Sequence, residues 1–123
     1  VHALAYPLGG EFHIPHGTAN TVMLRPVMEF NMDCCEGKIA LLARAVTEDR
    51  RGHSEMEESR AFIDWMTETA LRTGVVTRLR DLGIPASAIP GMADAASGET
   101  RLLSNNPKPL DRSDIETIYR KAW

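Results

Sequence analysis

Three of the four histidines in this chain lie within its first sixteen residues, VHALAYPLGGEFHIPH. Imidazole is the commonest protein ligand for divalent ions of intermediate softness. His2 and His16 could share one ion if a helix bearing the first met a helix starting with the second across a turn. Two imidazoles do not complete a site, because a catalytic metal usually has at least three protein ligands. Two interpretations therefore stay open, part of a metal site or histidines that face solvent or bond locally, and His13 is as consistent with solvent exposure as with ligation.

The other candidate reactive groups form weaker patterns. Cys34 and Cys35 are adjacent, so a disulfide between them would be strained, and they match neither a disulfide framework nor a Cys-x-x-Cys motif. We interpret them as small, partly buried thiols in a reducing compartment, with Lys38 as a weak hint of an activating charge. The pair Gly9–Gly10 lacks the Gly-x-Gly-x-x-Gly spacing of a dinucleotide-binding loop and predicts a tight turn instead.

Length and composition limit the class of protein. The chain has 123 residues, of which 43% are hydrophobic, and this is enough for the core of one domain. The net charge of -3, without a basic stripe, argues against nucleic acid as a partner. No apolar run approaches the roughly 20 residues of a membrane span, and the start lacks the layout of a secretory signal, so we expect a cytoplasmic protein with no membrane partner.

Helical periodicity dominates the sequence, and alternating strand patterns are short, so the predicted fold class is all-α, a bundle of about five to seven helices. Residues 2–6 are predicted to be the last turns of a helix that enters from upstream. Pro7 and the Gly9–Gly10 pair should end it. The second covers 16–31, and Pro26 should kink or divide it.

The remaining predicted elements follow from helix caps, glycines and prolines. Ser54 with Glu57 forms a capping-box pattern that starts a helix of about four turns, whose apolar residues Trp65 and Met66 are core candidates. Further helices and breaks are predicted, in chain order, as a helix at 35–48, an interruption at Gly74, short helices at 75–83 and 85–96, a loop at 97–110, and a terminal helix capped by Asp111.

The opening run and the segments after it resemble a known family. The pattern VHALAYPLGGEFHIPHGTANTVML followed by PVMEFN resembles the second signature region of the iron-containing (group III) alcohol dehydrogenases, in the part related to lactaldehyde reductases and maleylacetate reductases. The pattern combines a helix-borne His, a Gly pair, and a second His followed by Gly fourteen residues after the first. TGVVTRLRDLGI and NNPKPLDRSDIETIYRKAW resemble later parts of the family, so the resemblance covers essentially the whole chain.

The resemblance implies a carboxyl-terminal helical domain of the dehydroquinate synthase-like fold, spanning 1–123, whose partner is its own N-terminal nucleotide-binding α/β domain. In the family an Asp and three His hold a divalent metal, Fe²⁺ or Zn²⁺, and two of those positions match His2 and His16. The other two ligands lie upstream in the family's order. The implied reaction is hydride transfer between an alcohol and an aldehyde or ketone, with NAD or NADP bound mainly by the other domain.

The chain departs from the family pattern at Tyr6, where many members carry another His close to nicotinamide and substrate. Tyr6 could donate a hydrogen bond or relay a proton as a catalytic residue, or only pack against the cofactor or core. The substrate stays open among short-chain alcohols, lactaldehyde-like diols, 4-hydroxybutyrate-like acids and maleylacetate. We expect a homo-oligomer, and a fragment that is inactive alone. The alternative is a truncated helical interaction module without catalytic activity.

Overall fold

The computed structural model describes residues 1–46 and 53–123, and these residues form six α-helices and two short 3₁₀ turns with no β-strand. The predicted all-α class is therefore confirmed. The helices are α1 His2–Phe12, α2 His16–Val46, α3 Glu55–Arg72, α4 Ile89–Ser97, α5 Thr100–Leu103 and α6 Arg112–Ala122, with 3₁₀ turns at Arg80–Leu82 and Ala86–Ala88.

The prediction that α1 stops at Pro7 and the glycine pair is wrong, because the helix continues to Phe12. Pro7 removes one backbone donor, but its ring is buried with Leu4 and Leu8 against the neighbouring helices. Packing of an apolar face outweighs a local breaker of this kind. The C-cap of α1 is the next residue, His13, which adopts the left-handed conformation with φ 55°.

Of the two outcomes predicted for Pro26, a kink or a division of the second helix, the division is wrong, because the two predicted helices at 16–31 and 35–48 are one helix, α2, up to Val46. The kink stays a prediction. Pro26 lies on a buried face between Met23 and Val27, so burial again stabilises a helix that lacks one hydrogen bond. The last residues of the predicted third helix lie outside the described residues.

The capping box at Ser54 is confirmed. The Glu57 N–H donates to Ser54 Oγ over 3.3 Å, and the Ser54 N–H donates to Glu57 Oε2 over 2.8 Å. Helix α3 packs along α2, where Ser59 Oγ donates to the Glu36 carbonyl over 2.9 Å and Arg25 bonds Asp64 over 3.0 Å. The core assignment of Trp65 is wrong, because its side chain is 39% exposed.

The break at Gly74 is also present, since the chain leaves helical geometry there with φ 77°. The predicted short helices at 75–83 and 85–96 appear as the two 3₁₀ turns and α4. The predicted loop at 97–110 contains one helical segment, α5, which is a correction.

The main core lies between α1, the first half of α2, α4 and α6. Asp111 caps α6 as predicted, accepting from the Asp114 N–H over 2.9 Å. Tyr119 of α6 is fully buried and donates its hydroxyl to the Leu4 carbonyl of α1 over 2.7 Å. This bond fixes α6 against the helix that begins with His2. No described helix is long and apolar enough to cross a membrane.

Candidate metal centre

His2 and His16 lie side by side in the structure. Segment 13–15 turns back along α1, since the Ile14 N–H donates to the Leu8 carbonyl over 3.0 Å, and this brings the start of α2 close to the start of α1. The two imidazole centroids are 5.3 Å apart, with an angle of 51° between the rings, and both side chains are exposed. Two imidazoles bound to one ion at about 2.0–2.1 Å with tetrahedral geometry have centroids about 5 Å apart. The observed spacing therefore fits two ligands of one ion.

His13 does not join this pair. It is exposed and serves as the cap of α1, where its N–H donates to the Gly9 carbonyl over 3.2 Å. Within 1–46 and 53–123, no group of three or more His, Cys, Asp or Glu side chains is placed to hold a metal ion. The described residues thus supply at most two ligands, His2 and His16.

Asn20, which the sequence analysis missed, fixes the orientation of His16. Its Nδ2 lies one turn along α2 and contacts both His16 Nε2, at 2.9 Å, and the His16 carbonyl, at 3.0 Å. A carbonyl can only accept, so Nδ2 is the donor; it also donates to the Nε2 lone pair, which leaves the proton of the neutral ring on Nδ1. Neutral imidazole binds a metal through its unprotonated nitrogen, so an ion at Nε2 would replace the hydrogen bond from Asn20. The four-residue spacing from His16 to Asn20 is the signal that could have found this contact.

Tyr6 lies one turn after His2 on α1. Its side chain is 44% exposed, and its hydroxyl makes no hydrogen bond to any residue that the structure describes. The hydroxyl is therefore available to a ligand or to another part of the protein. Both roles considered for Tyr6, hydrogen-bond donor and packing surface, stay predictions.

A cavity of about 280 Å³ adjoins His2. Its walls come from the start of α1, the middle of α2, α5 and the segment before α6. Most of its lining is apolar, and none of its lining side chains is Asp, Glu, Lys or Arg; the apolar side chains include Val27, Phe30, Leu102, Leu103, Leu110 and Ile118. Sequence analysis had treated the segment at 97–110 as a loop without a role.

A pair of asparagines fastens one wall of this cavity to α2. Asn31 Nδ2 donates to Asn106 Oδ1 over 2.9 Å, and Asn106 Nδ2 donates back to Asn31 Oδ1 over 2.8 Å. Asn31 is 6% exposed, so the pair is shielded from water. Close by, the Lys108 ammonium bonds Asp33 at 2.7 Å and lies 4.2 Å from the centroid of the Phe30 ring.

The adjacent cysteines are free thiols. Cys34 is exposed and Cys35 half-buried, and their sulfurs are 3.9 Å apart. Desolvation, followed by the hydrogen bond and charge of Cys35, raises the pKa of the Cys34 thiol. A raised pKa lowers the thiolate fraction, so the geometry does not favour a reactive nucleophile here.

Sequence comparisons match the whole chain to one protein family. Residues 1–123 match the family described as "Fe-containing alcohol dehydrogenase family, C-terminal". Long-chain-alcohol dehydrogenase 1 of Geobacillus thermodenitrificans is 37% identical over 123 residues, which are 100% of this chain and 31% of that protein. Lactaldehyde reductase of Escherichia coli is 32% identical over 100% of this chain and 32% of its own length. The chain thus spans about a third of the length of these relatives.

Solved structures agree with this match. A crystal structure of 1,3-propanediol oxidoreductase superposes with a TM-score of 0.92 and 32% identity, over 99% of this chain and 32% of that one. An alcohol dehydrogenase from Oenococcus oeni superposes with a TM-score of 0.91 and 27% identity over the same shares.

Proposed function

Because this chain belongs to the Fe-containing alcohol dehydrogenase family and matches its C-terminal part, we propose that it is the helical metal-binding domain of an NAD(P)-linked alcohol dehydrogenase. The family is enzymatic, since its named members are oxidoreductases. The observation that supports a metal-dependent activity for this protein is the His2–His16 pair, with ring centroids 5.3 Å apart. The N-terminal nucleotide-binding domain, the binding of NAD or NADP and the choice of Fe²⁺ or Zn²⁺ are parts of the proposal.

The residues of this chain have distinct tasks in the proposed reaction. A bound divalent ion would supply a Lewis acid for the alcohol oxygen. His2 and His16 would hold that ion through neutral imidazoles, together with the Asp and the His that lie upstream in the family's order. Asn20 orients the His16 ring, because its Nδ2 donates to Nε2 and to the His16 carbonyl, and an ion bound at Nε2 would replace the first of these bonds. Tyr6 would face nicotinamide or substrate, where its unpartnered hydroxyl could donate a hydrogen bond.

Metal analysis of the whole protein tests the proposal. His2→Ala or His16→Ala removes one of the four ligands, so we expect metal content and alcohol oxidation to be lost together. His13→Ala is the matched control, because His13 lies outside the pair, and it should retain both. Tyr6→Phe should retain the metal and lower the rate if the hydroxyl acts in the reaction. Full metal occupancy with normal turnover in His2→Ala would contradict the proposal.

The relatives' names do not choose the substrate, because they include a long-chain-alcohol dehydrogenase, a 1,3-propanediol dehydrogenase, a lactaldehyde reductase and a 4-hydroxybutyrate dehydrogenase. We propose a primary or secondary alcohol and its aldehyde or ketone as the substrate pair. A cytoplasmic location, and the lack of nucleic-acid and membrane partners, also stay predictions.

Self-association is the second proposal. Three large apolar side chains are exposed on the second half of α2, Leu41, Leu42 and Val46, and Trp65 and Leu71 are exposed on α3. Exposed apolar side chains concentrated on two packed helices are typical of a surface that another protein surface covers. This supports a homo-oligomer of the enzyme, and it is also the feature that a helical interaction module would use.

A further inference from the structure

We propose that the cavity beside His2 receives the uncharged, apolar carbon chain of the substrate, so that the enzyme prefers alkyl alcohols to hydroxy acids of the same length. This inference rests on the proposed function, because it takes the alcohol oxygen to be bound next to His2. The imidazole of His2 forms part of the cavity wall. Neither His16 nor Tyr6 borders it, so a substrate oxygen on the His2 side of the pair would leave the carbon chain free to extend into the cavity.

The lining of the cavity favours an apolar chain. Phe30 of α2 and the two leucines of α5, Leu102 and Leu103, supply hydrocarbon surface to the lining. Each methylene that leaves water for such a surface gains a nearly constant free energy, and this gives about a threefold to fourfold gain in affinity per methylene. The volume of about 280 Å³ lies at the lower limit for small-molecule pockets, which is suited to a chain of a few carbons.

The same lining disfavours a carboxylate. Among the residues that the structure describes, no basic side chain borders the cavity, so a carboxylate at the far end of the substrate would lose its water without gaining a charged side-chain partner from them. Lys108 contacts the cavity residue Phe30, but its ammonium lies over the Phe30 ring and bonds both oxygens of Asp33, at 2.7 and 2.9 Å. The carboxylate of Asp33 therefore already neutralises the positive charge of Lys108.

The wall formed by α5 and the following segment is held in place before substrate arrives. The reciprocal amide pair of Asn31 and Asn106 joins it to α2, and Asn106 Nδ2 also donates to the Lys108 carbonyl over 2.8 Å. These bonds use both acceptor and donor groups of the Asn106 side chain within the protein. Asn106 therefore sets the position of the wall and leaves the cavity to apolar contacts.

Steady-state kinetics of the whole protein can test the inference with two matched substrate series. The first series is the straight-chain primary alcohols from propanol to hexanol, and the second is the hydroxy acids of equal chain length. We expect kcat/KM to rise about threefold to fourfold per methylene in the first series until the cavity is filled. We expect each hydroxy acid to be at least about tenfold poorer than the alcohol of the same length.

Variants locate the effect at the cavity. Leu103→Lys should lower kcat/KM for hexanol relative to propanol and raise it for the six-carbon hydroxy acid, since it introduces a charge into the lining. Ala95→Lys is the matched control, because Ala95 is exposed on α4 and does not border the cavity, and it should leave the chain-length dependence unchanged. If Leu103→Lys does not fold, Leu102→Ala should shift the preferred alcohol to a longer chain.

The outcomes separate this inference from the function on which it rests. Better turnover of hydroxy acids than of alcohols in the parent protein would overturn the inference and leave the proposed dehydrogenase activity intact. A chain-length dependence that does not change in Leu103→Lys or Leu102→Ala would also overturn it. Turnover of no alcohol with either nicotinamide cofactor would overturn the proposed function and this inference with it.

Discussion

At the scale of single residues, local spacing predicted the two histidines of the candidate site but not the asparagines that hold nearby residues in place. The distance along the chain between His2 and His16, together with the family signature, predicted their proximity, and their ring centroids are 5.3 Å apart. Asn20 could have been found, because it lies one turn after His16 on the same helix. The pairing of Asn31 with Asn106 could not, because these residues are 75 positions apart and only the tertiary fold brings them together.

The conformation of His13 gives a prediction at this scale. His13 caps α1 with φ 55°, a left-handed conformation that costs most residues about 1 kcal/mol and costs glycine little. We expect His13→Gly to raise the free energy of unfolding by about 0.5–1 kcal/mol in urea denaturation of the protein. His13→Ala is the control and should give no gain, since alanine has the same backbone restriction. Equal stabilities for the glycine and alanine variants would show that this position is not strained.

At the scale of elements, capping residues predicted the starts of two helices correctly, whereas prolines did not predict helix ends. Ser54 and Asp111 begin α3 and α6 as predicted, because a capping box is a local interaction between residues three positions apart. Pro7 and Pro26 were read as breaks because their local cost is known, but each is buried on the face that packs against other helices. The free energy of that packing depends on the whole fold, which a local pattern does not contain.

The capping box at Ser54 gives the prediction for this scale. Ser54→Ala removes the side-chain acceptor of the Glu57 N–H, so we expect a loss of about 1 kcal/mol in the free energy of unfolding. The backbone hydrogen bond from Ser54, followed by its side-chain hydrogen bond, also lowers the pKa of Glu57. A carboxyl with a lowered pKa stabilises the fold above its unfolded pKa and loses that contribution as the pH falls through the folded value. The cost of Ser54→Ala should therefore shrink in acid.

Ser113→Ala is the matched control for this measurement. Ser113 is exposed in the first turn of α6, and its side chain makes no capping bond. Its replacement should change stability by less than about 0.5 kcal/mol at neutral pH. Similar losses for Ser54→Ala and Ser113→Ala would mean that the box does not stabilise α3.

At the scale of the whole molecule, α6 connects the end of the chain to the helix that bears His2. The Tyr119 hydroxyl donates to the Leu4 carbonyl over 2.7 Å, two residues after His2. The Leu79 N–H donates to the Ala122 carbonyl over 2.9 Å, and this ties the segment after α3 to the same helix. The position of the candidate metal centre thus depends on residues at the opposite end of the sequence, a dependence that helical periodicity alone could not predict.

Tyr119 should make the stability of the fold sensitive to alkaline pH. Burial, with a smaller contribution from Glu11, raises the pKa of its phenol well above the ordinary value near 10. The folded state therefore retains a proton that the unfolded state releases, and stability is lost as pH rises above about 10, by about 1.4 kcal/mol per pH unit.

Tyr119→Phe lacks this proton, but it also lacks the hydrogen bond to Leu4, worth about 1 kcal/mol. We expect the variant to be the less stable protein at pH 8 and the difference to shrink, then reverse, as urea denaturation is repeated above pH 10. A constant difference across this range would contradict the raised pKa, and no difference at pH 8 would contradict the contribution of the hydrogen bond.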